Sequence, residues 1–222
     1  AGQTATLSAQ QTNDNTQLSA IGALQAALSA LQAGIASLSN GTALGQFTAS
    51  ASGTGLTATA GSAASAGSYS VAVTQVASAQ TLSSAGFGST TALGTGTMNI
   101  SVGGQSMSVA ITSSNNTVSG IASAINSAAN NPGVTATVVT GTDGAHLVLR
   151  SSATGGSNTI SVGVTGVAND AGLSSLGVTS TAGANGTAST FTSAVSTSAW
   201  TQTAPAQDAM FTVDGTAGTS SS

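Results

Sequence analysis

The spacing of apolar residues near the start of the chain predicts a long helix. Six apolar side chains recur at alternating intervals of three and four residues, which is the heptad pattern of a helix that packs against other helices. They are Ile21, Leu24, Leu28, Leu31, Ile35 and Leu38. The pattern extends back through Leu18 and more weakly to Leu7, and Asn40-Gly41 supplies a stop because both residues tolerate the left-handed conformation. We expect a helix from about Thr6 to Ser39.

This helix needs a partner. It has one apolar stripe and no salt-bridge pairs on its other faces, and the sequence offers no second long helix. The partner helix comes either from a missing C-terminal part of the same protein or from another subunit, and packing against the chain's own sheets is the remaining alternative. The six stripe residues are therefore our candidate subunit or helix-bundle interface.

From Phe47 onward, apolar residues recur at every second position, as in a strand, and no longer at every third or fourth position. Residues 67–80, GSYSVAVTQVASAQ, alternate through Tyr69, Val71 and Val73 and predict a half-buried strand. The stretch GTMNISVGGQSMSVAIT follows, and its Gly103-Gly104 pair predicts a tight hairpin. This hairpin places Met98 opposite Val109 and Ile100 opposite Met107, with all four side chains on one face.

A short amphipathic helix is predicted next, with Thr117 as its N-cap. Its apolar stripe consists of Val118, Ile121, Ile125 and Ala129, and Asn131-Pro132-Gly133 is its stop.

A second hairpin is predicted around residues 141–144, with Val138 opposite Leu147 and Ala136 opposite Leu149. Residues 158–165, NTISVGVT, supply a further strand. The order of strands and helix predicts an α+β unit, a sheet with a helix packed on one face.

Beyond Thr165 the pattern weakens. GLSSLGVTS predicts a single helical turn, and residues 180–198 are poor in apolar residues and in periodicity. Order returns where Met210 or Phe211, together with Val213, precedes an Asp214-Gly215 turn that begins another hairpin. The absence of an initiator Met, and an ending at residues 219–222 where a returning strand should start, favour a processed chain or a fragment.

Composition limits the chemistry available to the chain. Charged residues make up 3% of it, as five Asp and one Arg, with one His and no Cys. Acid–base catalysis and metal cages need more titratable and ligating groups than this. The net charge of −4, without a basic cluster, argues against binding nucleic acid, and no apolar run marks a membrane span. We therefore expect no catalytic, cofactor-binding or metal-binding residues, and no membrane insertion.

The only His and the only Arg lie close together, just past an Asp-Gly turn. Strand parity places Ala145, Leu147 and Leu149 on the core face and His146 and Arg150 on the other face. A His146–Asp143 surface pair is possible, although nothing in the sequence would exclude water from it.

Two other features resemble binding sites. Residues 152–158, SATGGSN, resemble an anion-binding nest but lack the Lys and the helix of a phosphate loop. The carboxylates Asp170, Asp208 and Asp214 are too scattered for a calcium repeat. We interpret the last as a turn residue.

Four stretches in order resemble the flagellar filament cap family, hook-associated protein 2. Residues 96–165 resemble the insertion repeat of flagellins and hook-associated proteins. Their flanks GSYSVAVTQVASAQTL and AQDAMFTVDG resemble the segments that bracket this insertion in the cap family, and LSAIGALQAALSALQ resembles its leg helix. Each motif is weak alone, but their order is specific, and together they cover nearly the whole chain.

The resemblance implies a β-rich α+β fold in three parts. These are a helical leg segment at 1–47, a discontinuous inner β head domain at 48–80 and 188–222, and an outer α+β head domain at 81–187 inserted into the inner one. The inner domain is expected to be truncated at its C-terminal end.

The resemblance also implies a function without catalysis. Members form a homo-oligomeric ring at the distal filament tip, outside the cell, after export by the flagellar secretion system. There they help flagellin subunits fold and polymerise, next to other hook-associated proteins. The near absence of Lys, Glu and Arg departs from the family and puts inter-subunit salt bridges in doubt. The alternatives are a flagellin or hook–filament junction protein, or a secreted adhesin that binds host mucin or glycans, a role that some cap proteins also have.

Overall fold

The computed structural model describes residues 2–39, 47–53, 55–61 and 63–222. The predicted helix stop at Asn40-Gly41 lies outside these residues. The chain forms two compact units, Ala1–Ser68 and Tyr69–Ser222. The predicted class, a long helix followed by a β-rich α+β region, is confirmed.

The first unit contains one long helix, α1 (Gly2–Ser39). At 1.5 Å per residue its 38 residues span about 57 Å. None of its residues is buried. In length and composition α1 also meets the requirements of a membrane-spanning helix, contrary to our reading of the sequence, although a soluble helix or a signal sequence meets them equally. The described part of residues 47–68 contains no helix or strand.

The second unit is built from twelve strands and one α-helix. In chain order these are β1 (Val71–Gln75), β2 (Thr81–Ser83), β3 (Thr95–Val102), β4 (Gln105–Ile111), α2 (Val118–Ser127), β5 (Val134–Gly141), β6 (Gly144–Ser151), β7 (Ile160–Ala168), β8 (Val178–Thr181), β9 (Thr190–Ser193), β10 (Thr201–Ala204), β11 (Ala209–Val213) and β12 (Thr216–Ser220). Short 3-10 turns lie at Leu173–Leu176, Ala184–Gly186 and Ser196–Ser198. The first of them confirms the helical turn predicted there.

The strands form three antiparallel sheets. The largest has the order β4-β3-β7-β8-β9, the second β10-β2-β6-β5, and the smallest β1-β11-β12. Strands β9 and β10 come from residues that the sequence assigned to the inner domain, yet they pair with β8 and β2 in the two larger sheets. Weak apolar patterning in residues 180–198 therefore concealed one complete strand of the five-stranded sheet.

The β3–β4 hairpin has the predicted register. Met98 pairs with Val109 and Ile100 with Met107, and all four side chains are buried. Gly103 and Gly104 have φ values of 57° and 82°, a conformation that two-residue hairpin turns require and that glycine adopts without steric cost.

Helix α2 packs against β5 and β6 and begins as predicted. The Thr117 side chain accepts a hydrogen bond from the Gly120 amide at 3.2 Å, which satisfies one of the amides left free at a helix start. Its buried stripe includes Ala122. The prediction that Ala129 belongs to this stripe was wrong, because the helix ends at Ser127 and Ala129 is exposed.

One hydrophobic core joins the two larger sheets and α2. Met98 and Ile100 come from the five-stranded sheet, Leu147 and Leu149 from the four-stranded sheet, and Ile121 from the helix. All five side chains are fully buried. The β5–β6 hairpin places Val138 opposite Leu147 and Ala136 opposite Leu149, as predicted.

The smallest sheet differs from expectation at β1. Val71 and Val73 are 42% and 60% exposed and Tyr69 is 66% exposed, so the prediction of a half-buried strand was wrong. Val71 and Val73 lie opposite Val213 and Phe211, and the exposures show that the face they share is not covered by another layer of the described chain. The Asp214-Gly215 turn forms as predicted, with φ values of 48° and 83°. Its returning strand is β12, which begins at Thr216, so the expectation that this strand starts only at residues 219–222 was wrong.

Candidate functional site

An exposed apolar stripe runs along α1 in the first unit. Heptad spacing places its side chains along one side of the helix. They are Ile21 (62% exposed), Leu24 (69%), Leu28 (65%), Leu31 (59%), Ile35 (56%) and Leu38 (54%). An exposed apolar patch of this kind is typical of a surface that contacts another protein element.

The parity predicted for β6 is confirmed. Ala145, Leu147 and Leu149 are buried, while Arg150 is exposed and His146 is intermediate. The sole cation of the chain therefore lies on the outer face of the four-stranded sheet.

His146 forms two polar contacts beside the β5–β6 turn. Its Nδ1 lies 2.8 Å from the Ser84 carbonyl oxygen, and its Nε2 lies 2.9 Å from Asp143 Oδ1. The hydrogen bond to the Ser84 carbonyl, with a second to Asp143, raises the pKa of His146 above its ordinary value. The hydrogen bond from His146 is the main cause that lowers the pKa of Asp143.

This pair does not form a nucleophilic site with its nearest hydroxyl. Ser84 Oγ accepts a hydrogen bond from the Leu147 amide at 2.9 Å and donates one to the Ala85 carbonyl at 2.8 Å. The imidazole contacts the Ser84 carbonyl and not its hydroxyl, whereas nucleophilic catalysis needs a base bonded to the nucleophile. The Asp143 side chain is 67% exposed, so water reaches the pair. A hydroxyl-rich cleft of about 480 Å³ adjoins it, lined on the far side by residues 197–203.

The Ser152–Asn158 loop binds groups of its own chain. The Gly156 amide donates to Asp208 Oδ1 at 2.6 Å, and the Gly155 amide donates to the Ser78 carbonyl at 3.2 Å. Thr154 Oγ1 donates to the Ser221 carbonyl at 2.7 Å. The anion that this loop binds is therefore the carboxylate of Asp208, from the same chain. Through its bonds to Ser78 and Ser221, the loop also connects the start of β7 to the segments beside β1, β11 and β12.

Two further carboxylates, Asp170 and Asp214, also accept hydrogen bonds from backbone amides. Asp170 Oδ1 accepts from the amides of Gly172 and Ser174 at 3.1 and 3.2 Å, and hydrogen bonds from Ser174 and Gly172 lower the pKa of Asp170. Asp214 Oδ1 accepts from the Ser70 amide at 2.7 Å. Within residues 2–39, 47–53, 55–61 and 63–222, no three His or Asp side chains come together in a way that could hold a metal ion.

Sequence reasoning missed a buried amide, Gln80. The side chain is fully buried, its Oε1 accepts from the Ile160 amide at 2.6 Å, and its Nε2 donates to Gln202 Oε1 at 2.7 Å. The surrounding sequence, ASAQTLSS, carries no signal for this contact, because its partners are 80 and 122 residues away along the chain.

Known families match both parts of the chain. Residues 1–80 match the family described as flagellar hook-associated protein 2 N-terminus, and residues 97–153 match the flagellin hook IN motif. The second match lies within the 96–165 segment that resembled this motif in the sequence.

Individual relatives point to the same family. Over 70 residues the chain is 46% identical to the B-type flagellar hook-associated protein 2 of Pseudomonas aeruginosa, a match that covers 31% of this chain and 15% of that relative's length. The crystal structure of FliD (HAP2) from P. aeruginosa PAO1 is 30% identical, with 72% of this chain and 69% of that chain covered and a TM-score of 0.58. The D2-D3 domains of the flagellar cap protein FliD from Escherichia coli are 30% identical, with 77% and 83% covered and a TM-score of 0.61. The chain therefore belongs to the FliD, or hook-associated protein 2, family of flagellar cap proteins.

Proposed function

We propose that this chain acts in the cap at the distal tip of the bacterial flagellar filament. Copies of the protein would form a ring there and promote the folding and polymerisation of flagellin, next to other hook-associated proteins. The observation that carries this proposal is that one chain joins a segment similar to the hook-associated protein 2 N-terminus to a β-rich unit similar to the D2-D3 domains of a cap protein. The protein would be exported by the flagellar secretion system and act outside the cell, in filament assembly and motility.

The chemistry of the chain favours action by shape and contact, without catalysis. With its single His counted as neutral, the chain has one Arg and five Asp as its only formally charged side chains, and Asp170, Asp208 and Asp214 already accept hydrogen bonds from backbone amides. Few charges remain for salt bridges between subunits. Contacts through apolar and hydroxyl groups would therefore depend little on ionic strength, since salt screens charged pairs.

We propose that the stripe on α1 is the interface of a helix bundle. Full burial stabilises a Leu or Ile side chain by about 1.5–3 kcal/mol, and a single helix with its stripe in water gains none of this. The partner helix belongs either to the full-length protein or to another subunit. The isolated chain is therefore expected to show a frayed or self-associating α1, and a stable monomer with a fully formed helix at low concentration, by circular dichroism and light scattering, contradicts this.

A pair of variants of the full-length protein separates the stripe from the rest of α1. Leu28→Ser removes one stripe side chain, whereas Ala33→Ser makes a similar polar change on the opposite side of the helix. We expect Leu28→Ser to lower the stability of the bundle by about 2 kcal/mol or more and Ala33→Ser to leave it nearly unchanged. Equal effects of the two variants on thermal unfolding would exclude a stripe-specific interface.

We propose that the second unit comprises an inner and an outer head domain. The β1-β11-β12 sheet would belong to the inner domain and the two larger sheets to the outer domain. Of the inner-domain segment predicted at residues 48–80, only residues 69–80 lie in this unit. The pairing of β9 with β8 and of β10 with β2 supports moving the second boundary from residue 188 to a point after Ala204.

The function is tested by complementation of a strain that lacks its cap protein. We expect the full-length protein to restore filaments and motility, and the uncomplemented strain to secrete monomeric flagellin. A protein that instead polymerises into filaments by itself is a flagellin, and failure to restore filaments despite normal secretion of this protein contradicts the cap role.

A second candidate function is adhesion to host mucin or other glycans. The feature in its favour is the hydroxyl-rich cleft lined by Ser83, Thr201 and Thr203, because hydroxyl groups can hydrogen-bond to sugars. Glycan binding by the purified protein, lost on Thr201→Val, together with normal motility of the variant strain, would support adhesion as a separate role.

A further inference from the structure

The β5–β6 turn is held against the segment that follows β2, residues 84–87. The Phe87 amide donates to the Ala145 carbonyl at 3.0 Å, and the Ala145 amide donates to the Phe87 carbonyl at 2.7 Å. The Ser84 amide donates to the Leu147 carbonyl at 2.9 Å. These bonds fix the base of the turn, whereas Asp143 at its tip is largely exposed.

His146 connects the tip of the turn to the 84–87 segment. Its two ring nitrogens face two acceptors, the carbonyl oxygen of Ser84 and the carboxylate of Asp143. A neutral imidazole has a single N–H, so one ring nitrogen would present a lone pair to an oxygen. Only the protonated ring donates to both acceptors. Both contacts are therefore hydrogen bonds at the same time only when the ring is protonated and positively charged.

The β5–β6 turn and the 84–87 segment approach each other closely around the pair. A Cβ at Gly141 would lie 2.8 Å from Asp143 Oδ1 and 3.0 Å from His146 Nε2, and a Cβ at Gly86 would lie 2.7 Å from the Asp143 carbonyl oxygen. Gly144 has a φ of 132°, and a Cβ there would lie 2.5 Å from the Phe87 carbonyl oxygen. Glycines at these three positions allow the turn and the 84–87 segment to approach this closely.

Asp143 is the one ionised side chain that faces the ring. The 84–87 segment presents backbone groups and the Ser84 hydroxyl, and the side of the cleft formed by residues 197–203 presents Thr and Ser hydroxyls. Arg150 is on the same face of β6 but four residues further along, about 13 Å away at strand spacing. Protonation of His146 is therefore coupled mainly to Asp143 and to the Ser84 carbonyl.

We propose that His146 is a protonation-controlled latch that holds the tip of the β5–β6 turn on residues 84–87. The latch is closed when the imidazole is protonated and Asp143 is ionised. Loss of the ring proton removes one of its two bonds and releases the turn tip, while the sheet beneath it stays intact.

The pKa directions define the pH window of the latch. The pKa of His146 is raised from its ordinary value of 6.5, first by the Ser84 carbonyl and then by Asp143, and the pKa of Asp143 is lowered from 3.8 by the bond from His146. Because the pKa of His146 is raised in the folded protein, its protonation stabilises the fold fully below pH 6.5. This stabilisation is lost as the pH rises through the higher pKa of the folded protein. A lowered carboxyl pKa stabilises it above 3.8, and this is lost as the pH falls through the lower value. The latch is therefore fully closed between 3.8 and 6.5.

Nuclear magnetic resonance of this chain tests the latch directly, because its single histidine gives imidazole signals that need no assignment. We expect the imidazole to titrate with a midpoint above 6.5. Amide exchange at Gly144, corrected for its intrinsic pH dependence, is expected to accelerate through the same midpoint. Amides of the β3–β4 hairpin serve as the internal reference and are expected to stay protected.

Two matched variants separate the latch from general charge effects. Asp143→Asn removes the facing carboxylate and is expected to lose part of the upward shift in the His146 midpoint. Asp214→Asn removes the same charge from the other hairpin turn and is expected to keep the shift. His146→Gln is expected to make the corrected exchange at Gly144 independent of pH. Each of three results would overturn the proposal. The first is a wild-type His146 midpoint at or below 6.5, and the second is an amide-exchange rate at the turn that does not change as His146 titrates. The third is the same His146 midpoint in the two Asp variants.

Discussion

The buried amide of Gln80 is expected to be one of the strongest single contributors to the stability of the second unit. Its Oε1 accepts from the Ile160 amide at 2.6 Å, and its Nε2 donates to Gln202 Oε1 at 2.7 Å and to Ser180 Oγ at 3.0 Å. Gln80 directly precedes β2. Its side chain therefore connects this strand to β10 of the same sheet and to β7 and β8 of the five-stranded sheet. We consider Gln80→Leu, which keeps the approximate size and removes every bond.

The magnitude follows from the groups that the substitution leaves behind. The Ile160 amide loses its acceptor inside the core, and an unsatisfied buried donor costs about 1–3 kcal/mol. The two shorter of the three bonds donated by Nε2, those to Gln202 and Ser180, contribute about 0.5–1.5 kcal/mol each. Gln202 Oε1 keeps a bond from Ser189 Oγ at 3.1 Å, and the apolar leucine side chain offsets part of the loss. We expect a net destabilisation of about 2–4 kcal/mol.

Thermal and urea unfolding measure this effect, with Gln105→Leu as the control. Gln105 is exposed on β4, so the same substitution there is expected to change stability by less than about 0.5 kcal/mol. For a unit of this size, 2–4 kcal/mol corresponds to a fall in Tm of roughly 5–15 °C. A Gln80→Leu variant as stable as Gln105→Leu would refute the reasoning, since it would mean that the buried amide bonds contribute nothing net.

Three further substitutions test separate parts of the fold by chemical denaturation. Thr117→Ala removes the N-cap of α2 and is expected to cost about 1 kcal/mol; no loss would mean that the cap bond is not formed in solution. Leu149→Ala empties a fully buried core position and is expected to cost about 2–5 kcal/mol, whereas Val139→Ala, on an exposed side chain, should cost under about 1 kcal/mol. Gly144→Ala introduces a Cβ 2.5 Å from the Phe87 carbonyl oxygen and is expected to cost more than Gly104→Ala, where the added Cβ meets open space; equal costs would contradict the close approach of residues 84–87 to the turn.

Local sequence signals predicted the hairpins and the helices well. The Gly103-Gly104 pair set the register of β3 and β4, because a two-residue turn with positive φ at both positions leaves one alignment of the flanking strands. Thr117 set the start of α2 in the same way, through a bond to an amide three residues away. In each case the deciding contact lies within a few residues along the chain.

The failures came where distant segments decide the structure. Val71 and Val73 alternate like a half-buried strand, but burial depends on whether another layer covers their face, which a single strand does not encode. The loop at residues 152–158 resembled a nest but lacked the Lys and the helix of a phosphate loop, and nothing nearby in the sequence indicated that its amide acceptor is Asp208, 52 residues away from Gly156. The burial of Gln80 was not predicted either, because its hydrogen-bond partners are also distant along the chain.

The exposed apolar stripe on α1 was predictable because heptad spacing alone defines which side chains share one side of a helix. What the stripe would pack against was not predictable, since an apolar stripe is compatible with many partners. The contact between His146 and Asp143 was predictable as a surface pair from the turn. The second contact, to the Ser84 carbonyl, was not, because that group lies 62 residues away along the chain.

Labelling of flagella in place tests the central claim most directly. Gold-conjugated antibodies against the second unit, residues 69–222, would be imaged by electron microscopy on intact filaments, with a deletion strain as the control for specificity. The cap role predicts label confined to the distal tip of each filament. Label along the whole shaft would identify a flagellin, label at the base of the filament a junction protein, and label on the cell surface without filaments an adhesin, and each of these results would contradict the cap role.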